Sequence, residues 1–69
     1  MKIETRTLEN EIARSAMNYK DIALLAGITE RTLQAARNGD EIRTATAGRI
    51  AAALGVDVEK LTKEQRTNG

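Results

Sequence analysis

Between Thr29 and Gly39 the chain reads "TERTLQAARNG", a short polar stretch ending in Asn-Gly. Wound as a helix at about 100° per residue, it places Leu33 and Ala36 on one side. Arg31, Gln34, Ala35 and Asn38 fall on the other side, with Glu30 at the edge. That free side holds a guanidinium, an amide and a small apolar group. Arg can donate two parallel hydrogen bonds to guanine, Gln can pair with adenine, and Ala can meet a thymine methyl. Glu30, at the helix start, can accept from cytosine. The same residues would also serve as an ordinary solvated helix face.

Other chemistry has little to work with. The sequence has no His and no Cys, which removes the commonest zinc donors and every disulfide. Its one serine, Ser15, sits in a helical stretch with no evident base beside it. Neither the phosphate-loop nor the dinucleotide glycine motif occurs, and the carboxylates are scattered singly along the helices. The expectation is a chain that is not an enzyme and uses no metal and no cofactor.

The elements that must position this face are marked by a pattern repeated three times. Asn18, Thr29 and Asp57 are good N-caps, each preceded by an apolar residue (Met17, Ile28, Val56) and followed four positions on by another (Ile22, Leu33, Leu61). Each is a cap with a hydrophobic staple, and Asp21 is spaced to reach back to Asn18 as in a capping box. Gly27, Gly39 and Gly55 each follow an apolar-periodic stretch, where a left-handed residue ends a helix. The spacing predicts helices over about 5–16, 19–26 and 30–38, then from Thr44 or Thr46 to Leu54, and a short one from Val58. Gly27, Ile28 and Thr29 then form the turn between the second and third helices, with Ile28 beneath it. The predicted core is Leu8, Ile12, Ile22, Ala23, Ile28, Leu33, Ala36, Ile50, Leu54, Val56 and Leu61. On the second helix Leu24 points outward, whereas Leu25 lies nearer the Ile22 side. Gly48 interrupts the fourth helix, either to permit close packing or a dimer contact, or simply because it is tolerated there.

The 69 residues suffice for one small domain. A domain of this size buries only about 60% of its unfolded surface, so its stability is marginal. The longest apolar runs, residues 22–28 and 50–56, fall short of the roughly 20 residues that span a bilayer. The opening "MKIETRTLEN" has no apolar signal-peptide core, so the expectation is a cytoplasmic protein that meets no membrane. A net charge of +1 says little about partners.

The stretch from Asn18 to Leu61 resembles the Cro/CI-type (lambda-repressor-like, XRE) helix-turn-helix DNA-binding domains. The resemblance rests on "NYKDIALLAGITERTLQAARNG" and "RIAAALGVDVEKL", which match that family's second to fifth helices, including the "ALGV" step. It implies an all-α bundle of five short helices over residues 1–61, with a helix-turn-helix core at about 19–38 and a polar, frayed tail over 62–69. It implies base reading by Glu30, Arg31, Thr32, Gln34 and Ala35, with Tyr19 and Asn38 at the DNA backbone. Lys20 and Arg43 add positive charge there. Arg37 stands where the family commonly has a Glu paired to its first helix; with Ile12 opposite, Arg37 is expected to turn outward to phosphate.

Two functions follow as expectations. One is a small sequence-specific transcriptional regulator of phage or mobile-element type, bound to double-stranded DNA as a homodimer. The other is an antirepressor or repressor modulator on the same fold, gripping another phage regulator through a surface that includes Leu24 and Leu25.

Overall fold

The first three helix starts in this chain are set by side chains that accept from otherwise free N–H groups. The computed structural model describes residues 1–62 and shows five helices with no strand among them. They are α1 (Thr5–Ser15), α2 (Tyr19–Ala26), α3 (Glu30–Arg37), α4 (Thr44–Leu54) and α5 (Val58–Thr62). Asn18 accepts from the Asp21 N–H at 2.8 Å, and Thr29 from the Thr32 N–H at 3.1 Å. Asp57 contributes its carbonyl to the Lys60 N–H.

The cap of α1 is Glu4. Its carboxylate accepts from both the N–H and the hydroxyl of Thr7, each at 2.8 Å. These bonds, the N–H first, hold the Glu4 carboxyl below the usual carboxylate range. Glu is not among the preferred N-cap types, so the position has no sequence signal. α1 stops at Ser15, one residue short of expectation, and Ala16 takes the left-handed conformation at φ 60°. The Ser15 hydroxyl donates to the Ile12 carbonyl and accepts from the Met17 N–H, a local role in ending the helix.

α2 packs on α3 and α4, and α1 lies across α3, α4 and α5. Leu8, Ile22, Leu33, Ile50 and Leu61 are fully enclosed between them, filled in by Ala23, Ala36, Ala47 and Ala51. Three expected core residues, Ile28, Leu54 and Val56, are only half-buried at the rim. Ile3 and Ala26 take full core positions instead. Ile3 lies outside any helix, so no periodicity marks it. It is held by the backbone on either side: the Ile42 N–H donates to the Met1 carbonyl and the Glu4 N–H to the Leu61 carbonyl, both at 2.8 Å.

Leu25 is 64% exposed, so lying nearer the Ile22 side of the helix does not bury it. The short α2 has only one buried stripe, and Ile22, Ala23 and Ala26 fill it. A Cβ on Gly48 would meet nothing within 4 Å, so no close helix packing within the described residues requires that glycine. Thr62 belongs to α5, and the remainder of the expected frayed tail, 63–69, lies outside the described residues. Among the described residues no helix is long and apolar enough to cross a membrane.

Candidate functional site

Gly27 ends α2 at φ 74°, and its N–H donates to the Leu24 carbonyl while that of Ile28 donates to Ala23. Thr29 then caps α3 at once, so a three-residue turn delivers the second helix with Leu33 and Ala36 inward. Glu30, Arg31 and Gln34 are exposed on its outer face, and Thr32 and Ala35 are half-buried at the edges. The sequence-predicted face therefore exists, yet the predicted site residues fall mostly into three separate places, with Gln34 and Asn38 in none of them.

The first is an open groove of about 480 Å³ between α3 and the start of α4. Arg31, Thr32 and Ala35 line one wall; Ile42, Arg43 and Thr46 line the other, with Glu41 at the rim. Arg43 is the N-cap of α4 and makes no side-chain cap bond, so that helix begins without a side-chain acceptor on its first N–H groups. Neither Arg31 nor Arg43 is ion-paired among the described residues. Glu41 is paired to the Met1 amine, which holds its carboxyl below the usual range. Ile42 and Thr46 were not anticipated as part of this site, because they join α3 only through the path of the loop.

The second place is an apolar step on α2. Leu24 is 78% exposed beside Leu25. A shallow cleft of about 230 Å³ runs from Leu24 to Ala23 and Ile28, flanked by Lys20 and Glu30. The third is a cluster on the opposite edge. Arg37 Nε donates to Glu9 at 2.9 Å, and its guanidinium carbon stands 5.3 Å from the centre of the Tyr19 ring. Partial burial pushes the Tyr19 hydroxyl up from its ordinary value, and the Glu9 bond raises that of Arg37. Arg37 is thus not turned outward to phosphate: its partner on α1 is Glu9, one turn before Ile12 and missed by reading Ile12 as the facing position. Asn38 caps the end of α3 with its N–H on the Gln34 carbonyl, apart from all three places.

Arg49, on the outer side of α4, also has a neighbour. A Cβ on Gly27 would lie 3.2 Å from its guanidinium, so Arg49 rests over the last turn of α2, where a helix end favours a cation.

No protein-family model matches the chain, and no curated protein matches it. Solved structures do. HppE with iron(II) matches at 32% identity over 84% of this chain and 31% of its own, with a TM-score of 0.72. The hydroxypropylphosphonic acid epoxidase from S. wedmorenis in complex with fosfomycin matches at 30% identity over 90% of this chain and 35% of its own, with a TM-score of 0.71. PhpD with cadmium and hydroethylphosphonate matches in fold, at 23% identity over 100% of this chain and 15% of its own, with a TM-score of 0.77. The chain spans about a third of the HppE and epoxidase chains and less of PhpD.

These likenesses correct the functional expectations. HppE with iron(II) and the epoxidase, at 32% and 30% identity, stand against both the DNA-binding regulator and its antirepressor alternative. The expectation of a chain that is not an enzyme goes with them. So do the partners expected with it: double-stranded DNA, a homodimer on DNA, another phage regulator, and no metal. The physical reason is that caps, staples and turn glycines specify a fold, and one fold carries unrelated functions. The iron(II) and cadmium of those structures find no donor set gathered here. Among the described residues no group of three or more His, Cys, Asp or Glu side chains is placed to hold a metal ion.

Proposed function

We propose that this chain is the helical module of a metal-dependent enzyme acting on small phosphonates, seated against a catalytic body that supplies the metal donors. The observation that carries this reading is the likeness to HppE, at 32% identity across 84% of this chain but only 31% of the enzyme. In this reading α2, the Gly27 turn and α3 form a helix-turn-helix of the lambda-repressor-like kind, used as a scaffold. The apolar step supports the seating: two leucines, 78% and 64% exposed, are adjacent on one short helix. Two large exposed apolar side chains on one short helix are candidates for a contact surface. Leu24 and Leu25 are the anchors, and Lys20 and Glu30 beside the cleft give the contact a charged rim.

The test is a graft. This chain replaces the matching segment of hydroxypropylphosphonic acid epoxidase, the product is loaded with iron(II), and epoxidation is measured. The expected result is a folded chimera with measurable turnover that falls at least about tenfold with L24E/L25E, the loss for about 1.4 kcal/mol of binding. A folded chimera with no turnover, or one indifferent to L24E/L25E, overturns the reading.

A further inference from the structure

We propose that the groove between α3 and α4 is a binding site for a small tetrahedral oxyanion, a phosphate or phosphonate group, formed wholly by this chain. The inference rests on the groove itself and does not require the seating on a catalytic body. Its two walls come from different elements, and each contributes a guanidinium, Arg31 from α3 and Arg43 from the start of α4. Neither is spent on an ion pair among the described residues. Guanidinium groups suit tetrahedral oxyanions because their paired N–H donors match two oxygens at once. Thr46 adds a half-buried residue with a hydroxyl to the lining, whereas the Thr32 hydroxyl is shared with that of Thr29 at 2.9 Å.

The remaining charge in the groove would oppose an anion, and it is already answered. Glu41 is bound to the Met1 amine, which also donates to the Ile42 carbonyl. The groove is thus lined by two arginines without an ion-pair partner among the described residues, in a chain whose total charge is only +1. Its volume of about 480 Å³ admits a small organic phosphonate. Ala35 and Ile42 offer apolar surface for a short carbon substituent beside the charged head.

The experiment is a titration of the isotopically labelled chain with methylphosphonate, inorganic phosphate and chloride at constant ionic strength, followed by amide NMR. Saturable shifts confined to residues 31–35 and 41–46 with the first two anions, and absent with chloride, are expected. Both R31Q and R43Q weaken that binding about tenfold, the usual loss for one charged hydrogen-bonding group. K20Q, on the other cleft, leaves it unchanged. The two arginines are exposed, and an unchanged spectrum of each free variant confirms its fold. Tighter binding of methylphosphonate supports an organic phosphonate as the ligand, and equal binding supports free phosphate; both sustain the site. Shifts that do not saturate, that spread over the surface, or that K20Q reduces as much as R43Q overturn it.

Discussion

Arg37 and Glu9 tie the end of α3 to α1 through a 2.9 Å ion pair, and the same guanidinium lies over the Tyr19 ring at the start of α2. One side chain thus joins three helices at the surface. Both pair members are largely solvated, so the link sets orientation more than it adds stability. R37A is expected to lower the melting temperature slightly more than E9A, since it loses the ring contact as well. At about 1 M salt, where screening acts within about 3 Å, the E9A effect should vanish while part of the R37A effect persists. Identical salt responses in thermal melts would mean that Tyr19 adds nothing.

The two glycines of opposite circumstance predict changes of opposite sign. G27A places a Cβ at φ 74° and 3.2 Å from Arg49, and should cost about 1–2 kcal/mol. G48A fills open space on a helix and should stabilise by about 1 kcal/mol. Urea unfolding of the two variants checks both, and a stabilising G27A would refute the left-handed turn.

I3A is expected to destabilise by about 2–5 kcal/mol, as for any deeply buried isoleucine. That is a large share of the stability of so small a domain. Denaturant midpoints compared with I42A, a half-buried residue of the loop it faces, would show the larger loss at Ile3.

Acid should weaken the fold through Glu4. Its carboxyl is held low by the Thr7 donors, so its contribution is complete above the unfolded value and is lost as pH falls through the lower folded one. Glu41, held low by the Met1 amine, acts in the same direction. Melts below roughly pH 4 should therefore drop less steeply for E4Q, and least for E4Q/E41Q. A wild-type slope in the double variant would show that neither carboxylate matters.

Much of the fold was legible because it is written in local signals. Asn18 and Thr29 cap where their spacing says, and Gly27, Gly39 and Gly55 all take positive φ. What was not legible depends on parts of the chain that meet only after folding. Ile3 has no helical period, Glu4 caps with an unfavoured residue type, and Glu9 reaches Arg37 from another helix. The outer face of α3 was read correctly as a face, but its residues divide between a groove and a cleft whose other walls come from the α3–α4 loop, α4 and α2. The types of those residues fit an anion as well as they fit a base edge, so the face alone could not choose between functions.

The short extended segment at the start of the chain bonds to the loop before α4 through Met1 and to α5 through Glu4. The Glu4–Leu61 bond closes nearly the whole described chain into a ring. The entropic cost of closing so long a loop is met by the contacts of the whole fold, not by this bond alone. The Glu4 amide therefore reports on the closure of that ring: its hydrogen is free to exchange whenever the N-terminal segment or α5 lifts away. The N-terminal segment looks peripheral along the sequence, but it fastens the loop before α4 and α5 to one edge of the fold.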